Sequence, residues 1–146
     1  MMHNKPNFTP RAQRAIEMSK KIAGDLNQEK VTLEHLFLGI LQLKAGVVHE
    51  VLISVGLDPS ILISSVSKKI NSKKTLQKSN PKFDRKFKQV LEISNLISKN
   101  FGHDYVGIEH LLLAMLKYEN SPINEYFAEI NIPQDLIIEE IKNYFK

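Results

Sequence analysis

Val31-Thr32-Leu33-Glu34-His35-Leu36-Phe37-Leu38-Gly39-Ile40-Leu41 decides the fold, because the chain contains it twice. The second copy is Val106-Gly107-Ile108-Glu109-His110-Leu111-Leu112-Leu113-Ala114-Met115-Leu116, at an offset of 75 residues. Each copy opens on a glutamate and a histidine and then runs almost wholly apolar. A helix that is apolar on every side has to be buried on every side. Each copy therefore reads as the central helix of a small bundle, with Glu34 or Glu109 at its N-terminal mouth.

The repeat extends outward in the same register. Phe8 matches Phe83, Glu17 matches Glu92, Ser19 matches Ser94 and Ile22 matches Ile97. Downstream, Leu52 falls on Phe127, Val55 on Ile130, Leu57 on Ile132 and Val66 on Ile141. A unit of 75 residues exceeds the roughly 20–50 residues of solenoid repeats. It reads as a duplicated half-domain, with two copies sharing one core.

Helix boundaries follow from local chemistry. Thr9 caps a first helix with Pro10 at its first position, where no hydrogen bond is lost. Ala12, Ala15, Ile16, Ser19, Ile22, Ala23 and Leu26 then recur at helical spacing. Thr32 caps the central helix. A short helix carrying Val48, Val51, Leu52 and Val55 stops at Gly56, and Asp58-Pro59 opens a fourth with Leu62, Ile63, Val66 and Ile70 inward. Residues 71–81 are polar and lysine-rich, and read as a mobile linker. The second copy repeats the order from Phe83-Asp84, with Ser121-Pro122 and Pro133 opening its last two helices. The final helix is expected to bury Leu136, Ile137, Ile141 and Phe145. Nothing alternates at period two for long enough to form a strand. The expectation is an all-α chain of about eight helices: repeat one over 8–70, repeat two over 82–146, packed as a single domain.

Composition narrows the function. With 146 residues, 42% hydrophobic and 25% charged, the chain suits one globular domain. It has no apolar run of the roughly 18 residues that span a bilayer, and Met1 to Pro6 lack the apolar segment of a signal peptide. The absence of cysteine removes disulfides, thiolate metal sites and a cysteine nucleophile. A cytoplasmic or equally reducing setting is expected. The net charge is +4, with Lys68, Lys69, Lys73, Lys74, Lys78, Lys82, Arg85, Lys86 and Lys88 clustered mid-chain. That cluster could meet an acidic partner or a phosphate backbone. No aromatic residues alternate with the lysines to stack on bases, so a solvated linker is the favoured reading over nucleic-acid binding. His35 and His110 read as hydrogen-bonded core histidines, since neither helix carries a second histidine one turn away. No metal site and no cofactor is nominated.

Phe8-Thr9-Pro10-Arg11-Ala12, Thr32-Leu33-Glu34-His35-Leu36 and Gly102-His103-Asp104-Tyr105-Val106-Gly107-Ile108-Glu109-His110-Leu111-Leu112-Leu113 together resemble the Clp N-terminal repeat domain. This module stands at the front of Clp-type AAA+ unfoldases, and the chain is most similar to the ClpC branch. The resemblance covers about Phe8 to Phe145. It implies a non-enzymatic recognition domain of protein quality control that binds adaptor or substrate proteins, monomeric in isolation, beside Clp unfoldase or protease subunits. No Gly-x-x-x-x-Gly-Lys-Ser/Thr phosphate loop occurs, so the chain itself does not carry the motor. A stand-alone accessory protein that modulates the Clp complex is the alternative, with nucleic-acid binding a remote one.

In ClpC-type relatives the repeat glutamates help hold the guanidinium of a phosphorylated arginine. The resemblance assigns Glu34 to the guanidinium, and Thr9 with the start of the first helix, assisted by Arg11, to the phosphate. Carboxylates pair with guanidinium through two parallel hydrogen bonds, and helix N-termini favour anions. Around Glu109 the equivalent positions are Asp84 in place of Thr9 and Arg85 in place of Pro10. Leu33 and Ile108 stand where the ClpC branch commonly has threonine before the glutamate. A first-turn glutamate also stabilises its own helix by roughly 0.3–1 kcal/mol without any ligand.

Overall fold

Thr9 sets the first helix in place. In the computed structural model, which describes residues 6–73, 75–119 and 121–145, its hydroxyl accepts the Ala12 N–H at 3.1 Å. Pro10 follows as the first residue of α1 (Pro10–Asp25). The remaining helices are α2 (Leu33–Gln42), α3 (Val47–Ser54), α4 (Pro59–Asn71), α5 (Arg85–Asn100), α6 (Ile108–Lys117), α7 (Pro122–Glu129) and α8 (Gln134–Asn143). The fold is all-α, as its patterning requires, with two copies of the same four-helix order. Asp84 caps α5 as Thr9 caps α1: its carboxylate accepts the Phe87 N–H at 2.8 Å. Asp58 and Ser121 cap α4 and α7, each followed by proline.

α2 and α6 are the two central helices. Leu33 and every residue from His35 to Leu41 are buried in α2, as are Ile108 and every residue from His110 to Leu116 in α6. Only Glu34 and Glu109, in the first turn of each, escape full burial within those stretches. One core joins the halves, with Phe37 of α2 meeting Phe127 of α7 edge-on at 5.7 Å between ring centroids. The two copies pack differently in detail. α1 lays a small-residue stripe of Ala12, Ala15, Ser19 and Ala23 against α2. A methyl group on Gly39 would lie 2.6 Å from the Ala15 carbonyl oxygen, so only glycine permits the approach. The equivalent residue in α6 is Ala114, fully buried and accommodated. The helical serines at this face, Ser19 and Ser94, each donate to a carbonyl three residues back.

Three expectations change. A short parallel ladder exists: β1 (Lys30–Val31) pairs with β2 (Lys82–Phe83), and an isolated parallel bridge joins Phe8 to Val106. Two residues are too few to give a period-two signal. The 71–81 stretch does not hang free. Thr75 and Asn27 exchange side-chain hydrogen bonds to each other's carbonyls, and Ser79 donates to the Gln28 carbonyl. Lys74 lies outside the described residues. In α8, Leu136 is 43% exposed and Ile138 takes its place in the core beside Ile137 and Ile141. Each residue turns the helix by about 100°, so Ile137, Ile138, Ile141 and Phe145 share a face that Leu136 leaves.

Candidate functional site at two crossed helix mouths

The ladder and the bridge are one pairing made twice with the copies exchanged. Val31 and Val106 are equivalent, as are Phe8 and Phe83, and each phenylalanine pairs with the valine of the other repeat. The Thr9 N–H donates to the Val106 carbonyl at 2.9 Å, and the Asp84 N–H to the Val31 carbonyl at 3.0 Å. The start of α1 is thereby delivered to the mouth of α6, and the start of α5 to the mouth of α2.

This corrects the pairing read from the sequence. Thr9 and Arg11 do not face Glu34. They line a recess of about 420 Å³ with Glu109, closed by Arg14, Gly46 and Ile108. Glu34 lies instead in a groove of about 270 Å³ with Phe37, Lys69, Lys73 and Tyr126, its carboxylate 3.8 Å from the Lys73 ammonium. Arg85 does not reach Glu109 either. It sits with Lys30, Lys82 and Glu29 in a cleft beside the ladder. The Asp84 carboxylate is committed to capping its own helix.

Histidine builds both mouths. The Thr32 N–H donates to Nδ1 of His35, and the Gly107 N–H to Nδ1 of His110, both at 2.9 Å. Histidine here does the work of the glutamate in a capping box, reaching back from the third helical position to the cap. Both rings are buried, and desolvation lowers each pKa from 6.5 to about 4. With Nδ1 accepting, the neutral ring carries its proton on Nε2. That proton serves Gln28 Oε1 at 2.6 Å from His35, and Nδ1 of His103 at 2.9 Å from His110. The core reading of both histidines fits this geometry. Among the described residues no three His, Cys, Asp or Glu side chains converge on a common point that could hold a metal ion.

Glu109 is the unusual group. Its carboxylate folds back over Gly107, where a β-carbon would lie 2.2 Å from Oε1. Only glycine leaves that space, and the equivalent cap in α2 is Thr32. The Glu109 side chain is 13% exposed, and among the described residues no lysine or arginine nitrogen lies within 4 Å of it. Burial raises its pKa. Its own backbone N–H and the charges of His103 and Arg11 oppose the rise without cancelling it. The recess thus presents a recessed carboxylate on one wall and the cationic start of α1 on the other. It can take a group that is positive at one end and negative at the other. Arg14, Gly46 and Val47 were not legible as part of it. Arg14 stands three residues after Arg11, on the same helical face. Gly46, at φ +89°, opens α3 beside Arg11, and a β-carbon built on it would lie 3.5 Å from the Arg11 side chain.

The fold is a duplicated all-α domain with a polar recess where its halves exchange strands. The family model described as "Clp repeat (R) N-terminal domain" matches residues 7–130, and the chain belongs to that family. A probable ATP-dependent Clp protease ATP-binding subunit of Chlamydia pneumoniae is 32% identical over 135 residues, covering 92% of this chain and 16% of the relative. ClpC of Staphylococcus epidermidis is 28% identical over 125 residues, covering 86% of this chain and 15% of its own. The chain thus spans about a sixth of the length of these relatives. Among solved structures, a ClpV N-domain in complex with a VipB peptide superimposes with a TM-score of 0.69 at 19% identity, covering 92% of this chain and 88% of that one.

Proposed function

We propose that this chain is a non-catalytic docking domain that captures adaptor or substrate proteins for a Clp-type ATP-dependent unfoldase in a reducing cytoplasm. Its ligand at the Glu109 recess is an arginine-phosphorylated side chain. The observation that carries this is the bipolar recess, with Glu109 facing Thr9 and Arg11. A phosphorylated guanidinium has the matching polarity. The guanidinium meets the carboxylate, and the phosphate meets Arg11 and the first free N–H groups of α1. The ClpV N-domain bound to a VipB peptide supports peptide capture by this fold. Glu34, already beside Lys73, is the weaker of the two mouths. Residues 71–81 join two repeats that act as one body, because each recess draws on both.

The test is calorimetric titration of free phosphoarginine. Wild type should bind, Glu109→Gln should lose at least about tenfold in affinity, in line with a charged hydrogen-bonded pair, and Glu34→Gln should lose much less. Absence of heat in the wild type, or equal affinity in Glu109→Gln, overturns the assignment.

A further inference from the structure

The strand ladder carries a surface that neither mouth uses. Lys30 and Lys82 are direct partners in the parallel register of β1 and β2, and both side chains are exposed. Like charges placed opposite each other on a ladder work against it. The adjoining helix adds to the strain. Arg85, Lys86 and Lys88 occupy the first turns of α5, and its opening turn holds no acid, so cations crowd the positive end of the helix dipole. Residues 68–88 hold nine cations against one carboxylate, leaving the rest of the chain with eleven cations and fifteen carboxylates. Within this stretch Lys69 and Lys73 pair with Glu129 and Glu34, while the cations on the ladder face one another.

The charge is also held in place. Thr75 and Ser79 are fastened to the Asn27–Gln28 turn, which fixes Lys78 beside Lys30, Lys82 and Arg85 around one open cleft of about 540 Å³. Among the described residues none of these four cations has a carboxylate oxygen within 4 Å. Glu29 and Asp84 also line the cleft, the Asp84 carboxylate accepting the Phe87 N–H at 2.8 Å.

We infer that this face docks an acidic peptide segment of a partner protein, its carboxylates spaced along Lys78, Lys30, Lys82 and Arg85. A peptide fits better than a nucleic acid for two reasons. Glu29 interrupts the cations where a phosphate chain would run unbroken, and the nearest ring, Phe83, is packed on Phe87 at 4.6 Å rather than free to stack on a base.

The experiment is fluorescence anisotropy with a labelled ten-residue peptide of alternating glutamate and alanine, against a lysine–alanine control and a single-stranded and a duplex oligonucleotide of equal charge. The variants are Lys30→Gln/Lys82→Gln, which removes the opposed pair, and Arg85→Gln alone. The acidic peptide should bind wild type, weaken about tenfold or more in the double variant, and weaken further with added salt. The double variant should melt no lower than wild type, so its loss of binding is not a loss of fold. Glu109→Gln should bind the acidic peptide unchanged, which separates this face from the recess. No binding of the acidic peptide, equal binding by the double variant, or tighter binding of either oligonucleotide overturns the proposal.

Discussion

The two helix mouths descend from one design and have parted. At the mouth of α2 the cap is Thr32, and Glu34 leans outward, 23% exposed, toward Lys73. At the mouth of α6 the cap is Gly107, and Glu109 folds inward over the space that the missing β-carbon leaves. His35 hands its ring proton to a glutamine amide, while His110 hands its proton to a second histidine. The cap thus goes with the carboxylate's pose: over Gly107 it folds back, and beside Thr32 it leans toward Lys73. A recessed, unneutralised carboxylate opposes folding and favours a cationic ligand. The outward one is nearly neutral to both.

Acid should break what the mouths share before anything else. Each histidine prefers its neutral form in the fold, with a pKa of about 4 against 6.5 when free. The stability this brings is complete above about pH 6.5, is lost as pH falls from there towards 4, and falls no further below 4. A drop of that size corresponds to about 3 kcal/mol per histidine. Denaturant unfolding followed across that window should show both contributions. His35→Gln and His110→Gln keep a capping side chain at the same position, and each should remove about half of the pH dependence.

The crossings behind the mouths should differ next. Gly39→Ala pushes a methyl into the Ala15 carbonyl and should cost about 1–3 kcal/mol by overpacking. The mirror change, Ala114→Gly, should cost only about 1 kcal/mol through helix propensity. Thermal melts of the two variants rank them directly, and an equal loss would mean that the two crossings are alike.

The carboxylates give the smallest effects and the sharpest contrast. The pKa of Glu109 is raised, so its contribution to stability is greatest in acid and is lost as pH rises through that value. Glu109→Gln should therefore stabilise the neutral-pH fold by about 0.5–1 kcal/mol while weakening ligand binding, a usual trade at functional sites. Glu34→Gln should stay within about 1 kcal/mol of wild type, because its partner Lys73 is 70% exposed and 3.8 Å away. Chemical denaturation at pH 7 measures both.

Much of the fold is legible because burial leaves a strong mark. α2 and α6 are apolar on every side and lie buried on nearly every side, and Thr9, Asp58 and Ser121 with their prolines announce three helix starts. The sharing of the mouths is not legible. Phe8 and Val106 find each other across the whole chain through a single bridge, and β1 and β2 are two residues each. Such pairings leave no periodicity, so nothing in the sequence shows that Thr9 lies with Glu109 rather than with Glu34 of its own repeat. In the structure Thr9 and Arg11 line a recess with Glu109, and Glu34 lies in a separate groove. The role of His103 escaped for a similar reason: it stands seven residues before His110, in a turn with no regular spacing to read.

The exchange of strands has a consequence for how the protein comes into being. When the first half leaves the ribosome, the strand at Phe8 has no valine to lie along, and the recess it will wall does not exist. Val106 arrives 98 positions later. A partly made or truncated chain therefore has no finished pocket at either end, and the docking proposed for it begins only once the whole module has closed.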